Sequence, residues 1–141
     1  MAKTIRLYAG GRIKNSVFQA SWEAYARRIR HWSLETIEWT DKQFETMQPA
    51  KGELWIALDE RGSSLTSAHF SEKLTQWIEG PQIPCFLIGP STGLPPSMLR
   101  CAAFSISFSP MTWPHLMARV LWIEQIYRAQ QRTLHHPYSF V

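Results

Sequence analysis

The chain has two cysteines in 141 residues, Cys85 and Cys101, too few for a disulfide framework. Cys85 lies in an apolar run that reads as a strand and Cys101 near a helix end, so both are read as ordinary buried thiols and no metal site is expected. No stretch of 18 or more apolar residues occurs, which excludes a membrane-spanning helix. The opening Met-Ala-Lys-Thr-Ile-Arg lacks the apolar core of a signal peptide. Internal repeats and low-complexity tracts are also missing. These absences lead to the expectation of a soluble, cytoplasmic protein. At 45% hydrophobic content the chain can bury one core and is too short for two comfortable ones, so residues 1–141 are expected to form a single domain.

Acidic residues are scarce at the start. Lys3, Arg6, Arg12, Lys14, Arg27, Arg28 and Arg30 stand against Glu23 in the first 32 residues, a balance of +6 within an overall +4. Residues 33 to 79 reverse the sign with four bases against nine acids, and the remainder has four against one. A basic N-terminal surface attracts phosphate backbones without reading sequence, which points to a polyanionic partner. A solvated helix face fits the same pattern.

Periodicity outlines alternating strands and helices. Thr4 to Ala9 reads as a strand ended by Gly10-Gly11, and Phe18, Trp22, Tyr25 and Ile29 predict an amphipathic helix over residues 16 to 31 with Arg27 and Arg28 on its far face. A strand at Leu34 to Trp39 precedes an irregular connection over residues 40 to 53, and Leu54 to Leu58 reads as a buried strand. Phe70, Leu74, Trp77 and Ile78 form the apolar stripe of a helix from Ser67 to Glu79, capped by Thr66 or Ser67. Pro84 to Ile88 is a further strand, Pro95 to Cys101 a short helix, Phe104 to Phe108 a strand, and Pro114 to about Arg132 the last helix. Such alternation argues for a mostly parallel sheet covered on both faces.

The most informative stretch runs from Ser105 to Arg128. Ile106 and Phe108 alternate with Ser105, Ser107 and Ser109, and Pro110 ends the ladder because it has no N–H to donate. Thr112 is a candidate cap for the next helix, Pro114 suits its first turn, and Leu116, Val120, Ile123 and Tyr127 then recur at helical spacing. The loop between Phe108 and Trp113 therefore lies at the carboxyl end of a strand and the positive end of a helix, where open α/β sheets bind ligands.

Met111 to Arg128 resembles the RlmH family, SPOUT-class enzymes that methylate N3 of a pseudouridine in 23S ribosomal RNA of the large subunit. Three further pieces resemble it in order and spacing: Leu58-Asp59-Glu60-Arg61-Gly62 followed by Leu65-Thr66-Ser67 and Phe70; the glycine loop from Leu87 to Leu94; and His136-Pro137-Tyr138. The resemblance implies an α/β fold with a SPOUT-type trefoil knot, S-adenosylmethionine as cofactor, a homodimer that completes the site, and ribosomal RNA or the ribosome as partner. It maps cofactor contacts onto Leu58, Gly89 and the loop Phe108, Ser109, Pro110, Met111, Thr112, Trp113, each of which taken singly also reads as core, turn or packing.

Methyl transfer from a sulfonium needs positioning more than covalent help. The imino N3–H of pseudouridine must still be removed, and His115 and Tyr138 are the candidate acceptors by their place in the family pattern. His115 also reads as a cap or packing residue. Arg119 is implied to contact RNA or the partner subunit, and Arg27 and Arg28 are the other RNA-binding candidates, whereas Glu124 and Arg128 read as a helix-stabilising i,i+4 pair.

The chain departs from the family pattern at several points. Pro90 replaces a loop glycine, Ser63 stands where lysine is common, residues 40 to 52 are short of a further helix, and Ser139-Phe140-Val141 replaces a tail with a histidine and a basic residue. Two other readings follow: a noncatalytic RNA- or ribosome-binding relative on the same fold, and an unrelated doubly wound nucleotide-binding protein.

Overall fold

Five parallel strands form one sheet in the order β2-β1-β4-β3-β5 in the computed structural model, which describes residues 2–140 and, for Ser139 and Phe140, the backbone alone. The strands are β1 (Thr4–Gly10), β2 (Ser33–Trp39), β3 (Glu53–Ser64), β4 (Ile83–Ile88) and β5 (Phe104–Ser107). The side chains of Ser139-Phe140-Val141, the divergent tail, lie outside the described residues.

The central strands read as apolar runs because helices cover both their faces. β4, Ile83-Pro84-Cys85-Phe86-Leu87-Ile88, is buried along nearly its whole length between β1 and β3. β2 is an edge strand and exposes Glu35, Thr36, Ile37 and Glu38. One face of the sheet packs Ile5, Leu7, Ile56, Phe86 and Ile106 against α1 (Gln19–Ala26), α3 (Ser67–Glu79) and α5 (His115–Thr133), with Trp22 stacked on Trp122 at 6.2 Å. The other face packs Tyr8, Trp55, Ala57 and Leu87 under α2 (Asp41–Thr46) and α4 (Pro96–Cys101), through Phe44 and Met98.

Several sequence expectations are corrected. α1 has eight residues, Gln19–Ala26, and not the 16 to 31 span; Ile29 and Trp32 continue its apolar period into an irregular segment and are still buried. Arg27 is its C-cap and, with Arg28, lies exposed in the turn that follows. The connection after β2 contains α2, with a capping box in which the Thr40 hydroxyl accepts from Gln43 N–H and the Gln43 side chain accepts from Thr40 N–H. Thr66 caps α3 by accepting from His69 N–H at 3.1 Å. Cys101 is exposed, whereas Cys85 is buried.

β3 runs past Leu58 to Ser64, and its register against β5 jumps: Leu58 and Ser63 both pair with Ile106. Asp59, Glu60, Arg61 and Gly62 are the extra residues, bulged out at the carboxyl end of the sheet. Gly62 is required there, since a Cβ would lie 2.7 Å from the Ser105 carbonyl carbon. At the other end of the chain His135, at φ 57°, terminates α5, with His135 N–H and His136 N–H donating to Arg132 O and Gln131 O. This turn folds the tail back along the helix.

Candidate active site

The carboxyl ends of β3, β4 and β5 open into a cleft of about 680 Å³, within the usual range for small-ligand sites. Its walls are the β3 bulge, the loop from Gly89 to Leu94 and the segment from Phe108 to His115. Of the cofactor candidates, Leu58, Gly89, Phe108, Ser109, Met111, Thr112 and Trp113 line it; Pro110 does not. Asp59, Glu60 and Ala118 line it as well, with no local signal in the sequence to mark them, and so does Pro90, the departure from the family's glycine loop.

Serines shape the loop after β5. Ser107 Oγ donates to Ser109 O and accepts from Ser109 N–H, and Ser109 Oγ accepts from Met111 N–H at 2.8 Å. Thr112 does not cap α5: its hydroxyl donates to Glu60 Oε2 at 2.7 Å, tying the loop to the β3 bulge across the mouth of the cleft. α5 instead starts after Pro114 with no side-chain cap, which leaves its first backbone N–H groups beside the cleft. The glycine loop closes with Gly93 N–H donating to Pro90 O at 2.8 Å, and Gly89 packs so tightly under that turn that a Cβ would come within 2.8 Å of Gly93 C and Leu94 N.

A network behind the cleft joins its walls. Arg119 is fully buried, donating from Nη1 to Glu38 Oε2 at 2.7 Å and from Nη2 to the carbonyls of Gly10 (2.7 Å) and Gly11 (3.1 Å). Both glycines are packed closely: a Cβ on Gly10 would lie 2.6 Å from Pro90 Cα, and one on Gly11, at φ 79°, would lie 2.5 Å from His115 Nε2. Arg119 thus holds the end of β1, on which both the glycine loop and the His115 ring rest. This corrects the RNA- or partner-contact reading of Arg119, which has no exposed surface to offer.

His115 is half-buried at the cleft, and burial together with the nearby Arg119 charge lowers its pKa from 6.5, so the imidazole is neutral near pH 7. Burial alone would raise the Glu38 carboxyl; hydrogen bonds from Arg119 and Ile13 N–H outweigh it and hold Glu38 below its ordinary range. Tyr138 does not join His115. Its hydroxyl donates to Glu124 Oε1 at 2.9 Å, at a level of α5 nine residues, roughly 13 Å, from His115. Burial and the Glu124 hydrogen bond push the phenol well above its ordinary pKa, the wrong direction for a proton acceptor. Glu124 also takes two hydrogen bonds from Arg128, as the i,i+4 reading expects.

Fold and cleft together define an α/β protein that binds a small ligand at the carboxyl ends of parallel strands, against glycine-containing loops and a helix start. The family description "Predicted SPOUT methyltransferase" matches residues 3–139, and the chain belongs to that family. A Ribosomal RNA large subunit methyltransferase H of Nitratidesulfovibrio vulgaris is 32% identical over 152 residues, covering 96% of this chain and 98% of the relative. One of Rhodopseudomonas palustris is 48% identical over 85 residues, covering 59% of this chain and 52% of the relative. Among solved structures, the SpoU methyltransferase AviRb of Streptomyces viridochromogenes, in complex with the cofactor AdoMet, matches in fold at a TM-score of 0.53 and 9% identity, covering 92% of this chain and 59% of that one.

Proposed function

We propose that the protein is an S-adenosylmethionine-dependent methyltransferase of large-subunit ribosomal RNA that modifies N3 of a pseudouridine. The observation that carries this reading is the 680 Å³ cleft, formed by the chain segments that carry the family resemblance and lined by seven of the eight residues that resemblance assigns to the cofactor. The full-length similarity to a ribosomal RNA large subunit methyltransferase H supports the substrate.

The residues fit the cofactor. The cleft combines apolar walls from Leu58, Ile88, Leu94, Phe108 and Trp113 with the charged groups of Asp59, Glu60 and Arg61, the first and last paired at 3.3 Å, and suits a ligand that joins a flat purine to a zwitterionic amino acid. When bound, S-adenosylmethionine supplies an activated methyl group and a neutral leaving group. The chain supplies position: the turn at Gly89 and Gly93 shapes one wall, and the hydrogen bond between Thr112 and Glu60 braces the opposite one. His115, neutral and at the cleft, is the proton acceptor we assign to N3–H; Tyr138 in its bonded state is not.

Arg27, Arg28 and Arg30 are exposed and serve in this reading as phosphate contacts, while Arg6 is already spent on Glu35 and Glu53. The trefoil knot, the homodimer, a single domain and a cytoplasmic setting belong to the same proposal. No helix among the described residues is long and apolar enough to cross a membrane. The test is two measurements on the purified protein: calorimetric titration with S-adenosylmethionine, and transfer of labelled methyl to ribosomes from a strain lacking the endogenous enzyme. Binding with transfer is expected; binding to cofactor and ribosomes without transfer makes the protein a noncatalytic relative.

A further inference from the structure

A second cavity of about 260 Å³ lies against the first, between the start of α3 and the outer side of α5. Phe108 and Trp113 line both, so the two cavities are neighbours. The volume falls below the range of about 300–1,000 Å³ for sites that enclose drug-sized ligands, a size for one planar ring with its sugar left outside.

The lining fits such a ring chemically. Phe70, Phe108, Trp113, Ile106 and Leu121 provide aromatic and aliphatic faces. Thr66, Ser67, Ser107 and Gln125 provide hydroxyls and a carboxamide, and none of the lining residues carries a formal charge. Gln125 donates its amide to Glu124 Oε2 at 3.0 Å and keeps its carbonyl oxygen as an acceptor; Thr66 accepts from His69 N–H and keeps its hydroxyl proton to donate. A neutral pocket with both donors and acceptors rejects phosphate and suits the N1–H and C2=O edge that a C-linked uracil-type base offers beside N3. Enzymes that act on a base take it out of its stack and hold it between apolar side chains, with hydrogen bonds to its edge.

We propose that this cavity, bounded by Thr66, Ser67, Phe70, Leu121 and Gln125 and sharing Phe108 and Trp113 with the cofactor cleft, receives the N1 side of the extruded pseudouridine-type base and leaves its N3 side turned toward the cofactor cleft and His115. The proposal rests on the methyltransferase reading and adds the place of the acceptor ring to it. The competing occupant is a side chain from a second copy of the chain.

Two variants fill the cavity from opposite walls, Ser67→Trp at the exposed first residue of α3 and Leu121→Trp on α5. Each is compared with the parent in methyl transfer to ribosomes, calorimetric affinity for S-adenosylhomocysteine, melting temperature and mass in solution. The expected result is a fall in transfer of at least about tenfold, with cofactor affinity within about twofold of the parent; Ser67→Trp, being at the surface, keeps the melting temperature. Transfer at the parent rate in both variants overturns the proposal, and so does loss of cofactor affinity in step with transfer, which would make the cavity part of the cofactor site. A changed mass with transfer intact assigns the cavity to a partner's side chain and also overturns it. A parent that transfers no methyl contradicts the methyltransferase reading separately. In that case saturation-transfer NMR with free pseudouridine and S-adenosylhomocysteine decides: base-proton signals in the parent that vanish in both filled variants support the pocket, and their absence in the parent refutes it.

Discussion

Replacing Arg119 with methionine removes the buried cation that holds the end of β1. Methionine keeps most of the aliphatic stem, so the loss is chiefly of hydrogen bonds. The buried Gly10 carbonyl loses its side-chain donor at a cost of about 1–3 kcal/mol, and the half-buried Gly11 carbonyl loses a hydrogen bond of about 0.5–1.5 kcal/mol. Glu38 is 34% exposed in its side chain, so loss of that pair adds only about 0–1 kcal/mol after solvent screening. The total is about 1.5–5.5 kcal/mol, which spans the range for removing one partner of a buried ion pair. At about 2–4 °C per kcal/mol for a chain of this size, the melting temperature should fall by roughly 10 °C.

Urea unfolding at neutral pH reads the loss directly, and Glu38→Gln separates the charge from the carbonyl contacts. The Glu38 pKa is depressed in the folded state, so its contribution is present above the ordinary value of 4.5 and disappears as pH falls through the lower folded value. The small difference between Glu38→Gln and the parent should therefore vanish on acidification below that value. Arg119→Met should persist as a defect there, because its larger part comes from neutral carbonyls. An Arg119→Met protein within 1 kcal/mol of the parent at neutral pH would refute the network.

Gly89→Val should lose S-adenosylmethionine affinity by at least about tenfold in calorimetry, because its side chain meets the backbone of Gly93 and Leu94 and must reshape the loop; unchanged affinity would contradict the pocket. Changing Arg27, Arg28 and Arg30 together to glutamine should weaken ribosome binding and flatten its salt dependence while leaving cofactor affinity alone, as checked by binding across a salt series. Light scattering at micromolar concentration should give twice the chain mass of 16.4 kDa, and a value near 16.4 kDa would count against the dimer.

The strand, loop and helix from Ser105 to Thr133 were legible because short-range signals agree there: alternation, a proline stop and a helical stripe. Thr66 was legible as a cap for the same reason. The end of α1 was not. Ile29 keeps the helical period, yet a side chain can reach the core from an irregular backbone, so apolar spacing overran the helix. α2 was hidden because it has one buried residue, Phe44, and is specified by the Thr40–Gln43 capping box. Thr112 looked like a cap because threonine before a Pro-led helix usually is one; its partner turned out to be Glu60, 52 residues away. Arg119 was the largest misreading. Its ligands, Gly10 and Gly11, are about 108 residues earlier in the chain, and nothing local in the sequence marks an arginine that will be buried. His115 and Tyr138 were separated only by the tail geometry that His135 sets.

The most direct test of the account is nucleoside mass spectrometry of large-subunit ribosomal RNA after incubation of ribosomes, from a strain lacking the endogenous enzyme, with this protein and S-adenosylmethionine. The account predicts one new nucleoside, pseudouridine carrying a methyl on N3, formed by the parent and strongly reduced by Gly89→Val. Methyl on a different nucleoside would contradict the assigned target, and no methylated nucleoside from a protein that binds the cofactor would contradict the catalytic claim itself.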